Sequence, residues 1–461
     1  MKTSRCNTVQ SQQLLKNDFA VHDFVTFYGR CRMFMRPLFL WSGARFLFFF
    51  RFLCVTGLVS SSYGSELSYP IVDTGQIRCY DDRTEIEFPK VGKSWSGQDA
   101  EYNGNQPSYR DNGDGTVSDL VTGLMWQSDP GEKKTYADAV ADTSRCRTGG
   151  YSDWRMPTIK ELYSLIDFSG ADVDPNGSRG GTPFINTNFF KFQYGREEDG
   201  DRIIDSQWAT STIYEGKVMH GARAMFGVNF ADGRIKGYPV DAMPGRGAKK
   251  YYVIYVRENP AYGQNDFVDN GDGTVTDRAT GLIWQKADSG KGMDWKEALA
   301  YAENMKFAGH DDWRLPNAKE LQSIVDYTRA PDTTHSAAID PVFQCSEITN
   351  EAGQKDYGHY WSSTTHLDPR GAIRAVYVAF GRALGNMHGQ WMDVHGAGAQ
   401  RSDQKTGEIE FPQGHGPQGD AQRIDNMVRL VRGGVAEPCT TGPAVEMNDF
   451  PRRPLRRPEF R

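Results

Sequence analysis

The 461-residue chain carries no nucleophile elbow, no phosphate-binding glycine loop and no HExxH helix, so the short motifs of serine hydrolases, nucleotide enzymes and zinc peptidases are missing. Positive charge is not in excess either, with 53 Lys and Arg against 59 Asp and Glu. A net charge of −6 repels polyanions, which makes nucleic acid and heavily sulfated glycans poor partners and leaves cations and neutral sugars open. Cysteine is scarce, and past residue 64 only Cys79, Cys146, Cys345 and Cys439 remain. None of them forms the close pair of a zinc site or redox motif, and four cysteines allow three pairings. Cys79 with Cys439 would tie together the two ends of the repeats described next, while Cys146 and Cys345 fit a pair or two free thiols.

Long apolar runs are also absent. FLFFF (46–50) and FLCVTGLV (52–59) are separated by Arg51 and fall short of the ~20 residues a membrane span needs. Preceded by Met35-Arg36 and followed by Ser60–Gly64, they read as a secretory signal with a cleavage option at Ser62-Tyr63-Gly64. The alternative is an anchor retained in the membrane. Cys54 lacks the small residue that a lipoprotein signal places before its cysteine, and residues 1–34 fit a start assigned too early. Removing residues 1–64 takes away eight basic and two acidic residues, leaving 45 against 57 and a net charge of −12. The expected location is secreted, periplasmic or cell-surface, with membrane contact only through an uncleaved N-terminal segment.

What the chain does contain is a duplication. DNGDGTVSDLVTGLMWQ (Asp111–Gln127) returns as DNGDGTVTDRATGLIWQ (Asp269–Gln285). GGYSDWRMPTIKELYSLID (Gly149–Asp167) then matches GHDDWRLPNAKELQSIVD (Gly309–Asp326), WATST (Trp208–Thr212) matches WSSTT (Trp361–Thr365), and YVIYVR (Tyr252–Arg257) matches MVRLVR (Met427–Arg432). A period of about 155 to 175 residues is too long for a solenoid and marks two domains of one fold. The expected organisation is a leading segment (65–106), a first domain (107–257), a linker (258–265), a second domain (266–432) and a Pro-rich disordered tail (433–461).

Each repeat opens with turn chemistry, because Asn and Asp side chains bond the backbone two residues on and glycine supplies positive φ. A hairpin, an apolar strand (Leu124–Trp126) and two helices follow. Thr135 and Asp294 cap the first helix of each repeat; Thr158 with Glu161, and Asn317 with Glu320, make capping boxes for the second. Leu162, Leu165 and Ile166, like Leu321, Ile324 and Val325, then line one helical face. Arg155 and Arg314 are expected to pair with Glu161 and Glu320. Strands are expected at 208–211, 223–230, 233–237 and 251–257, and at 360–364, 375–380, 382–385 and 427–432. EIEFP occurs at 85–89 and at 408–412, by chance or as two edge strands. Trp126, Trp154, Trp208, Trp284, Trp313 and Trp361 lie inside repeated motifs and read as core. The pattern predicts an α+β fold with two helices and short antiparallel strands in each domain.

DNGDGTVTD with TGLIWQ, then DWRLPNAKEL, YWSSTT and VRLVR, in this order, resembles the Lcl C-terminal domain family of secreted bacterial proteins, in two tandem copies. The resemblance implies a variant of the C-type lectin-like fold and an adhesin that binds glycans. The chain has no Gly-X-Y collagen tract, so collagen-driven trimers are not implied.

Two sets of residues are candidates for function. Asp111, Asp114 and Asp119, and in the second copy Asp269, Asp272 and Asp277, gather carboxylates in one loop, as calcium needs; the spacing is not that of an EF-hand, and a plain turn explains the same residues. Calcium is the one cofactor this pattern admits. The second set lies where the repeats differ, in GNMHGQWMDVHGAGAQRSDQ (Gly385–Gln404) and GHGPQGD (Gly414–Asp420). His388, Trp391, Asp393, His395, Arg401, Asp403, His415 and Asp420 fit three readings: a sugar site with Trp391 as platform, a metal site on the histidines and Asp393, or a structural loop. No catalytic group stands out. The sequence points to a non-catalytic binding or adhesion protein for a glycan or an extracellular protein, with a structural envelope protein and a paired-carboxylate hydrolase as alternatives.

Overall fold

Turn chemistry starts each repeat. Asp111 Oδ1 accepts the Gly113 N–H at 2.8 Å, and Asp114 Oδ1 accepts the N–H and hydroxyl of Thr116 at 3.0 and 2.6 Å. These bonds close the hairpin between β1 (Tyr109–Asp111) and β2 (Thr116–Asp119), on which β3 (Met125–Gln127) pairs. The chain continues through α1 (Tyr136–Asp142), α2 (Ile159–Ser164), β4 (Gln207–Ile213), β5 (Ala224–Asn229), β6 (Arg234–Pro239) and β7 (Val256–Arg257). The first sheet is antiparallel in the order β7-β3-β2-β1, and the second has the order β4-β5-β6.

The second repeat runs β8 (Phe267–Asp269), β9 (Thr274–Asp277), β10 (Leu282–Gln285), α3 (Trp295–Glu303), α4 (Ala318–Ser323), β11 (His359–Asp368), β12 (Gly371–Ala379), β13 (Leu384–Met387), β14 (Gln390–Asp393), β15 (Gln400–Gln404) and β16 (Val431–Arg432). Its sheets, β8-β9-β10-β16 and β11-β12-β15, repeat the topology of the first. The third strand of the three-stranded sheet is therefore β15. The segment around Arg382–Gly385, expected as that strand, instead enters a separate hairpin of β13 and β14. The computed structural model describes residues 67–174, 180–242 and 247–434; the signal-like segment, Cys439 and the Pro-rich tail from 435 lie outside the described residues.

The α+β, C-type lectin-like expectation is overturned. The α-helices among the described residues have 7, 6, 9 and 6 residues, and everything else of regular form, short 3-10 turns aside, is small antiparallel sheets. The caps form as expected: Thr158 and Asn317 accept the N–H of Glu161 and Glu320, whose carboxylates bond back at 2.7 and 2.9 Å. The apolar face does not extend the helix; Ser164 and Ser323, the last helical residues, turn their hydroxyls onto the Glu161 and Glu320 carbonyls. Ile166 and Val325 then leave as bridges to Ile185 and Ile339. No helix among the described residues is long and apolar enough to cross a membrane.

The repeats share one core. Trp126 and Trp208 of the first and Trp284, Trp295 and Trp361 of the second are buried in a single apolar cluster, with Trp154 in a smaller satellite. At the junction α2 meets α4 reciprocally: Lys160 Nζ donates to Ser323 O at 2.7 Å, and the matching Lys319 Nζ donates to Ser164 O at 2.9 Å. Such mutual contacts are those of a two-fold interface, here within one chain. Burial draws both ammonium groups down to about 8. Cys79, Cys146 and Cys345 are free thiols. Of the EIEFP segments only the first forms a strand, Glu85–Ile86 against Cys79–Tyr80.

Candidate functional site

Between β12 and β15 the second repeat inserts the β13–β14 hairpin, closed by His388-Gly389 at φ 56° and 83°. Positive φ at both turn residues matches the right-handed twist of two paired strands. Alternation along β14 puts Trp391 and Asp393 on one face. That face meets the turn Lys217–Gly221 of the first repeat, and the two enclose a cleft of about 300 Å3 lined also by Asp332, Gln354 and Arg382. Trp391 is half-buried at its edge.

The walls of this cleft are fixed by hydrogen bonds across the junction. Asp393 accepts from the Tyr214 hydroxyl at 2.7 Å and from the Gly396 N–H at 2.8 Å, and its carbonyl accepts from the Met219 N–H at 2.8 Å. Burial pushes the Asp393 carboxyl up to about 7, partly offset by the Tyr214 bond. Arg382 donates to Asp332 and, at 3.2 Å, to Lys355 O.

The other expected residues are dispersed. His395 and Arg401 both bond Asp420, His395 at 2.8 Å, in a buried network beneath the loop, and the His395 carbonyl accepts from Gly237 N–H on β6. Burial holds the His395 imidazole well below its ordinary value, helped by the nearby Arg401 and Lys236 charges. Asp403 lies apart with His359 at 3.5 Å and Asn426 at 3.2 Å, its carboxyl raised by burial to about 7. His388 is exposed at the hairpin tip; His415 packs on Phe411 at 4.8 Å, where burial draws it down to about 4. The structure thus brings Trp391 and Asp393 to the cleft and gives His395, Arg401, Asp403 and Asp420 to structural pairs.

The DNGDGT carboxylates serve their own turns. Asp119 Oδ1 accepts from Val121 and Thr122 N–H, Asp269 Oδ1 from Gly271 N–H, and Asp272 Oδ1 from the N–H and hydroxyl of Thr274. Asp277 accepts four bonds, from Asp266, Ala279, Asn265 and Thr280. Among the described residues no group of three His, Cys, Asp or Glu side chains is arranged to hold a metal ion.

Sequence reasoning missed the first-repeat wall, Lys217 to Gly221, together with Arg382, Asp332 and Gln354. One signal was present. Met-His-Gly occurs at 219–221 and again at 387–389, both times in a turn with positive φ on His and Gly.

The Lcl C-terminal domain family matches residues 115–257 and 273–395, more than half of the chain. No curated protein and no solved structure matches it. With two matched segments that run from β2 to β7 in the first repeat and from β9 to β14 in the second, capped helices included, the chain belongs to the Lcl C-terminal domain family.

Proposed function

We propose that this is an exported, non-catalytic binding protein that holds a neutral glycan in the cleft between Trp391 and the Lys217–Gly221 turn, at the cell surface or outside the cell. The observation that carries the reading is Trp391, a half-buried indole at the edge of a polar cleft built from both repeats. A half-exposed aromatic face receives the C–H face of a sugar, while nearby polar groups select hydroxyls. Gln354 and Gln390 offer amides for that purpose, and the Arg382–Asp332 pair offers a donor and an acceptor. A net charge of −6, and −12 without residues 1–64, favours uncharged sugars over sulfated ones.

Binding fits the cleft better than hydrolysis does. Both of its carboxylates are engaged, Asp393 by Tyr214 and Gly396 and Asp332 by Arg382. The test is Trp391→Ala in the full chain: glycan capture is lost while the melting temperature stays unchanged. Equal loss of both would make the hairpin a structural element, and release of shorter glycan products would make the protein a hydrolase.

A further inference from the structure

The two-fold relation between the repeats is broken at one place. In the second repeat the leading segment lies over the Arg314–Glu320 pair: Tyr102 places its ring 5.4 Å from the Arg314 guanidinium, and the Asp99 carboxylate accepts from the Thr364 hydroxyl at 2.6 Å and from Thr74 at 2.8 Å. Lys319 Nζ donates to Asp73 O at 2.8 Å, and Phe168 N–H donates to Thr74 O at 2.7 Å. The side chain of Arg314 is left 3% exposed.

By register of the repeated motifs Arg155, Lys160 and Tyr327 occupy the matching positions around the first repeat, and Thr212 takes the place of Thr364 by its hydrogen bond to the start of the helix, one residue out of the WATST/WSSTT register. All four line an open cleft of about 530 Å3. Thr212 accepts from the Ile159 N–H at 3.0 Å just as Thr364 accepts from Ala318 at 2.9 Å, but no segment corresponding to Asp99–Tyr102 lies over it. The Arg155 side chain is 34% exposed while its partner Glu161 is 2% exposed. The Tyr327 N–H, counterpart of the Phe168 N–H that bonds Thr74, has no acceptor among the described residues. The linker that passes this side, Glu258 to Asp266, accepts from Lys160 through Gly263 O at 3.2 Å and Asn265 Oδ1 at 2.7 Å, as Asp73 O accepts from Lys319, but it then runs directly into β8 and makes no excursion comparable to Asp99–Tyr102.

From this filled-and-open pair we infer that the first-repeat cleft is a docking slot for an extended peptide segment of another protein, carrying a carboxylate followed three residues later by an aromatic ring. Its carboxylate accepts from Thr212, its ring lies on Arg155, and one of its carbonyls takes the Tyr327 N–H. The chemistry is that of Asp99-Ala100-Glu101-Tyr102 in the occupied slot, supplied from outside. This site is separate from the Trp391 cleft and does not depend on the glycan reading.

The probe is a fluorescent synthetic peptide with the sequence of residues 96–103, SGQDAEYN, titrated into the full-length protein by anisotropy. Saturable binding is expected, weakened about tenfold or more by replacing the peptide's aspartate with asparagine or its tyrosine with alanine. Those changes leave the protein untouched. Filling the cleft from its exposed edge with Gln264→Trp should abolish binding without altering the melting temperature. No saturable binding, indifference to both peptide changes, or binding that survives Gln264→Trp would each overturn the proposal. So would a full-length dimer broken by Gln264→Trp, since a second copy would then be the occupant.

Discussion

The same Arg–Glu pair sits in two environments, and truncating each arginine should cost different amounts. Arg314 donates to both oxygens of Glu320 at 2.6 Å and to Gly433 O at 2.9 Å, with both side chains 3% exposed beneath Tyr102. Arg155 donates to Glu161 at 2.7 and 2.5 Å but faces the open cleft. Arg314→Ala would leave Glu320 charged, buried and short of its partner, a change that costs about 3–5 kcal/mol. In Arg155→Ala, water entering through the cleft would replace the lost donors, so the cost should be on the order of 1–2 kcal/mol. Urea unfolding of the two variants and the parent measures this directly, because a shift of midpoint at constant slope is a change in stability. One transition is expected in each case, since the repeats share a core. Losses equal within about 0.5 kcal/mol, or a first repeat that melts separately, would refute the asymmetric burial on which the docking slot rests.

Asp393→Asn should change the pH dependence of stability. A carboxyl raised to about 7 in the folded protein from its ordinary 3.8 contributes stability at low pH that is lost as pH rises through 7. Between pH 6 and 8 the parent should therefore lose about 1 kcal/mol relative to the variant, and parallel melting curves would contradict this. Calcium and chelator should give the same melting temperature, because the DNGDGT carboxylates already bond their own turns; a calcium-dependent rise would assign them a cation. In thiol labelling followed by peptide mass spectrometry, Cys79, buried and with its thiol pushed up by burial, should react after the half-buried Cys146 and Cys345. First reaction at Cys79 would show that the leading segment opens.

Much of the local structure could be read from residues because the interactions are close in sequence. The Asp-to-backbone turns, the Thr158 and Asn317 caps and the Arg155–Glu161 and Arg314–Glu320 pairs all span six residues or fewer. Helix length was not legible. Leu165 and Ile166 keep helical spacing, yet tertiary pairing of Ile166 with Ile185 ends the helix at Ser164. The displacement of the third strand to Gln400–Gln404 was also hidden, because a hairpin inserted into one repeat shifts the register without marking it in composition. In the candidate site, Trp391 and Asp393 were identified as an unrepeated aromatic and acid. Their wall from the first repeat was not, since Met219 and Tyr214 meet Asp393 only through the junction of the two repeats.

The most direct measurement of the central claim is glycan-array binding by the full-length protein, run with calcium and with chelator, beside Trp391→Ala. The account predicts specific signal on neutral glycans that is indifferent to chelator and absent in the variant. A blank array from a well-folded protein, or signal that chelator removes, would contradict it.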